Sequence, residues 1–113
     1  MDNIKNDRYY IDQISEQIDL VEEHIANKTA EDLENNLMLK NAILFSIMQI
    51  GECAGKLTEG FRQKYDEIPW HKMRGMRNII VHDYVGVDLM TVYKTAIEEI
   101  PKIKSKLIDC GIL

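Results

Sequence analysis

The sequence predicts an all-α fold: an antiparallel up-and-down bundle of four to five helices in a single domain over residues 1–113. Three observations carry that prediction. Apolar residues recur at steps of three and four along most of the chain, the spacing that lines one face of a helix. Six Gly and two Pro in 113 residues are too few for the many tight turns of an all-β fold. The periodic segments are joined by short connections, which makes successive helices antiparallel neighbours.

The first helix is marked by Ile4, Ile11, Ile14, Ile18, Val21 and Ile25, with acidic residues between them, and it ends at Asn27-Lys28. Thr29 is placed to cap the second helix, with Asp32 at the third helical position in a capping-box arrangement. That second helix carries two apolar stripes. One is Leu33, Leu37, Leu44 and Met48; the other is Leu39, Ile43, Ile50 and Leu57. A helix that is apolar on two sides packs on both, so it is expected at the centre and continuous to about Leu57. A short turn of helix is expected around Gly60 to Tyr65, and Ile68-Pro69 stops the chain before a new helix at Trp70. Asp88 caps a last helix with a seam of Leu89, Val92, Ala96, Ile100, Ile103, Leu107 and Cys110. Pro101 is expected to kink that helix, and Gly111 to cap its end.

Composition narrows the function. A hydrophobic content of 45% and a charged content of 29% belong to a folded globular chain, not a disordered tail. The net charge of -5 argues against an indiscriminate nucleic-acid binder. Its distribution is uneven: residues 1–55 carry a net of -7, residues 56–77 a net of +3 and residues 78–113 a net of -1. Cys53 and Cys110 make neither a zinc quartet nor a disulfide framework and are expected as reduced, buried thiols. No metal site is expected, since His24, His71 and His82 are widely separated and no pair of cysteines has ligand spacing. The first residues lack the apolar core of a secretory signal, and the apolar stretch from Ala42 to Gly51 is broken by Ser46 and Gln49. These features lead to the expectation of a cytoplasmic protein with no membrane partner.

The segment Arg74-Gly75-Met76-Arg77-Asn78-Ile79-Ile80-Val81-His82-Asp83-Tyr84 stands out. At about 100° per residue, Trp70, Met73, Met76, Ile80, Val81 and Tyr84 fall on one arc, and Arg77 falls within it. A guanidinium on an apolar face needs an ion pair, with Glu52 on the central helix as one candidate, or a bound anion. Arg74, Asn78 and His82 lie on one polar flank, with Gly75 beside His82. Gly75 costs helix stability and suggests close approach by a ligand or another chain. Asn78 and His82, four apart, are within reach of each other. Arg77 and His82 are about 140° apart, so a regular helix cannot converge them on one small atom. Either the helix breaks near His82, or a second chain completes the site.

Arg77, four residues, His82, one residue and Tyr84 resemble the Arg-x4-His-x-Tyr motif of HepT-like HEPN ribonuclease toxins. The likeness extends to Ile50-Gly51-Glu52, Ile68-Pro69-Trp70, Asn78 directly after Arg77, and Val87-Asp88 after the motif. The resemblance implies an all-α HEPN bundle, a homodimer whose motifs face a shared cleft, and metal-independent RNA cleavage. It also implies a minimal nucleotidyltransferase antitoxin that transfers AMP from ATP to Tyr84. In these roles Arg77 holds the scissile phosphate. His82 moves protons, as a histidine with a reference pKa of about 6.5 does near neutral pH. Asn78 orients His82 or contacts phosphate, Arg74 and Gly75 support RNA binding, and Tyr84 offers a nucleophilic hydroxyl. No cofactor is needed beyond AMP attached at Tyr84, because RNA brings its own nucleophile in the 2′-hydroxyl. The competing reading is a non-catalytic helical subunit that docks a nucleotidyltransferase; helical bundles serve both ends, so fold alone does not choose.

Overall fold

The computed structural model describes residues 5–113, so Ile4 at the head of the first apolar seam lies outside the described residues. Four rods make the bundle. They are α1 (Asp7–Ile25), α3 (Leu37–Lys56), α5 (Trp70–His82) and a last rod formed by α6 (Leu89–Lys94) and α7 (Ile100–Asp109). Two short helices, α2 (Ala30–Asn35) and α4 (Glu59–Lys64), occupy the connections. Cross-contacts fix the directions. Asp7 at the start of α1 accepts two hydrogen bonds from Thr58 just past the end of α3. Arg74 and Arg77 on α5 lie over Gly55 and Gly51 on α3, so numbers rise on one helix as they fall on the other. Lys72 pairs with Glu99, and Lys104 on α7 pairs with Glu22 and Asp19 on α1. Each neighbour is antiparallel, and the ring closes as the up-and-down bundle that the short connections predict.

The core follows the helical periodicity. Ile11, Ile14, Ile18, Val21 and Ile25 from α1 pack with Ile43, Leu44, Ile47, Ile50 and Ala54 from α3. Val92, Ala96, Ile100, Ile103 and Leu107 from the last rod complete it. Burying an isoleucine or leucine side chain contributes about 1.5–3 kcal/mol relative to leaving it in water, so this seam dominates stability. α3 is long and apolar enough to cross a membrane by length and composition alone. It packs between α1 and α5, with 44% of that stretch buried.

The caps formed as their local signals dictate. Thr29 and Asp32 make a reciprocal capping box at α2, and the Asp88 side chain accepts from the Thr91 N–H at α6. Gly111, at φ 75°, ends α7: its N–H reaches the Ile108 carbonyl at 3.0 Å while Ile112 N–H reaches the Leu107 carbonyl at 3.0 Å. That paired return needs a left-handed residue, which glycine adopts without a Cβ penalty.

Three expectations need correction. The second helix is not continuous. Asn36 takes an extended conformation, ends α2 and caps α3 through the Leu39 N–H. An asparagine side chain satisfies a free helical donor well, so it favours a new helix start over the helix interior. The break turns Leu37 out of its predicted stripe and leaves it 66% exposed. Second, the last helix is not one regular rod: a π turn over Thr95–Glu99 separates α6 from α7, which starts at Ile100 with Pro101 in its first turn. Widening the π turn accommodates a residue with no N–H to donate. Third, Val81 is exposed rather than part of the buried arc. The buried face of α5 is Trp70, Met73 and Ile80, and Val81 lies to one side of it near the helix end.

Candidate ribonuclease site

The seam between α3 and α5 is built around a glycine. A Cβ on Gly51 would lie 2.3 Å from the Arg77 Cβ and 2.6 Å from the Met73 carbonyl oxygen. Only a residue without a side chain lets α5 approach that closely. The close approach brings the stem of Arg77 against α3, where its Nε donates to Glu52. This is the ion pair that an arginine on an apolar face requires. The two side chains are only about one-third exposed, at 36% for Arg77 and 37% for Glu52. Nη1 of Arg77 donates to Oδ1 of Asn78 at 2.9 Å. Nη2 has no hydrogen-bond partner among the described residues, so its two N–H groups and the second one on Nη1 remain free for an acceptor such as a phosphate.

Asn78 therefore orients the arginine, not the histidine. His82 is the last residue of α5 and is exposed, and its side chain has no hydrogen bond among the described residues. The helix remains regular through His82, and the chain departs only at Asp83. The break predicted near the histidine comes one residue too late to swing it to the face of Arg77. A single chain thus presents the two groups on different sides of α5.

Tyr84 lies beyond the helix in a turn where the Gly86 N–H donates to the Asp83 carboxylate at 2.9 Å. The ring is 42% exposed, and its hydroxyl donates to Oδ1 of Asn41 on α3. Arg74 is exposed with its side chain over Gly55, and it makes no ion pair among the described residues. Among the described residues, an added Cβ on Gly75 would meet nothing within 4 Å beyond its own stretch of helix. Within the chain the close helix packing is at Gly51. The overlooked signal was Gly51-x3-Gly55, small residues one turn apart on an apolar helix. Asn41 was missed because nothing local links it to a tyrosine 43 residues away.

Burial and the neighbouring Glu52 carboxylate push the Cys53 thiol up from its ordinary range, which suits an unreactive core thiol. Both cysteines are free; Cys53 is buried and Cys110 half-buried. Among the described residues, no three of His, Cys, Asp and Glu gather as a metal-binding group.

Comparison with known proteins places the chain in a family. The HepT-like family, described as ribonuclease HepT-like, matches residues 14–109. A Thermococcus cleftensis protein named as a candidate ribonuclease HepT is 34% identical over 86% of this chain and 88% of its own length. A candidate RNase of Caldanaerobacter subterraneus is 29% identical over 92% of this chain and 93% of its own. A Methanocaldococcus jannaschii protein, named as a gamma-glutamylcyclotransferase and candidate RNase, is 36% identical over 92% of this chain. The chain spans only 47% of that relative's length. No solved structure matches the chain. A family match over most of the chain, together with relatives similar over nearly its whole length, establishes that this chain belongs to the ribonuclease HepT-like family.

Proposed function

We propose that this chain is an endoribonuclease that cleaves RNA without a metal, acting as the toxin of a toxin–antitoxin pair in the cytoplasm. The observation that carries the reading is Arg77. Its guanidinium is anchored by Glu52 and Asn78 at a partly exposed seam, with Nη2 unpaired among the described residues. An arginine fixed in this way can take a phosphate bidentately and stabilise the charge that develops on it. In the proposed reaction the 2′-oxygen attacks phosphorus and the bond to the 5′-oxygen breaks. His82 side chains accept the 2′-hydroxyl proton and protonate the departing oxygen.

The homodimer belongs to this proposal. Arg77 and His82 stand on different sides of α5, and a second copy would bring one chain's histidine to the other's arginine. Exposed apolar side chains flank the Tyr84–Asn41 contact, with Met38 and Phe45 on α3 and Val81 and Val85 near Tyr84 in the chain. Such a patch suits an interface. Regulation is proposed through a nucleotidyltransferase antitoxin that transfers AMP from ATP to the hydroxyl of Tyr84. The adduct would place bulk and a phosphate charge beside the site.

The test is cleavage of single-stranded RNA by the purified chain in the presence of a chelator. Wild type is expected to cut, while Arg77→Ala and His82→Ala lose at least about 100-fold in rate, the scale of a general acid–base or charge-stabilising group. RNA left intact by a folded wild-type dimer, and by a lone chain harmless on expression, would favour the non-catalytic docking subunit.

A further inference from the structure

The stripe of α3 that faces the motif holds it at two points. Glu52 takes Arg77, and Asn41 takes the hydroxyl of Tyr84. The two residues are eleven apart on a regular helix, so they lie on nearly the same face. Tyr84 sits in an exposed turn past the end of α5, followed by Val85 at 90% exposure. A phenol in that position would otherwise swing through several rotamers. The bond to Asn41 is the contact that fixes its oxygen.

We infer that Asn41 is a positioning residue for the Tyr84 hydroxyl, holding its oxygen ready to receive a nucleotidyl group. The inference rests on the reading of Tyr84 as the AMP acceptor. Oδ1 of Asn41 can only accept, so the hydroxyl proton points toward α3 and the oxygen lone pairs face away from it. In the transfer, the phenol oxygen bonds to the α-phosphorus of ATP, and the bond to the pyrophosphate leaving group breaks. Pyrophosphate departs and the phenolic proton passes to solvent. An acceptor oxygen already fixed in place spares the reaction the entropy of locating it, so the effect belongs in the rate of transfer. The product ester has no proton to donate. Modification therefore ends the donation from Tyr84 to Oδ1 of Asn41.

The experiment compares AMP transfer from ATP by the nucleotidyltransferase partner onto wild type, Asn41→Leu and Asn41→Asp. Leucine is close in size and a better helix former, so the fold is kept while the acceptor is lost. Aspartate retains an acceptor oxygen. We expect Asn41→Leu to lower kcat for transfer at least about tenfold, with the KM for this chain unchanged, and Asn41→Asp to restore most of the rate. Unfolding midpoints measured alongside identify any loss of fold, and Asn41→Ala serves as the second acceptor-free variant. An unchanged kcat in Asn41→Leu, a loss confined to KM, or an Asn41→Asp as slow as Asn41→Leu would overturn the inference alone. A wild type that gains no AMP at Tyr84 would overturn the acceptor reading and the inference with it.

Discussion

The two helices that flank α3 use it in opposite ways. α1 presents an unbroken apolar seam, Ile11 to Ile25, and keeps its charges outward. α5 buries only Trp70, Met73 and Ile80, and meets α3 elsewhere through a glycine contact and side-chain polar pairs. Apolar burial is non-directional and scales with area, so the α1 side stabilises without specifying where any one atom must be. Hydrogen bonds and ion pairs contribute less net energy but demand geometry. The α5 side therefore gives up part of its apolar burial for the placement of Arg77 and, just beyond the helix, Tyr84. One surface of α3 holds the fold together, and the other positions chemistry.

Three measurements test that contrast. The largest loss of stability is expected on the α1 side. Ile14→Ala removes a fully buried side chain and should cost about 2–5 kcal/mol in urea unfolding. If truncations on the two sides cost the same, the division of labour fails.

Next comes Gly51→Ala. Its Cβ would collide with the Arg77 Cβ and with the Met73 backbone, so α5 must move away. A destabilisation of about 1–3 kcal/mol is expected, with a loss of RNA cleavage out of proportion to it because Arg77 is displaced. Gly75→Ala is the control. It meets open space within the chain and should stabilise by up to about 1 kcal/mol as a better helix former.

The smallest effect is that of pH. Hydrogen bonds from Thr91 hold the Asp88 carboxyl below its usual range, and the hydrogen bond from Lys72 does the same for Glu99. Groups with depressed folded values stabilise fully above the unfolded carboxylate range of about 4, and that contribution fades as pH falls through the lower folded values. The unfolding midpoint should decline below about pH 4, and Asp88→Asn should make the decline shallower. An equally steep acid limb in that variant would count against the cap.

The boundaries marked by Thr29, Asp88 and Gly111 were legible because a cap is a signal carried within four residues. The seam of α1 was legible because its period is local too. The break at Asn36 was not, since the same leucines satisfy either one long helix or two. Glu52 was legible as a partner for Arg77, because an arginine on an apolar face needs a carboxylate nearby; the other partners were not, since whether Asn78 serves His82 or Arg77 depends on rotamers, and Asn41 lies far from Tyr84 in the chain.

By itself the sequence determined the helical class, the order of the rods and most of their ends. Each of these rests on interactions between residues a few positions apart or on a repeat of period 3.6. Only the tertiary structure decided that Gly51 admits α5, that Glu52 rather than a bound anion pairs with Arg77, that Asn78 joins it and that Asn41 holds Tyr84. Those facts depend on how closely two helices approach and at what register, which packing of the whole bundle fixes and no local pattern encodes.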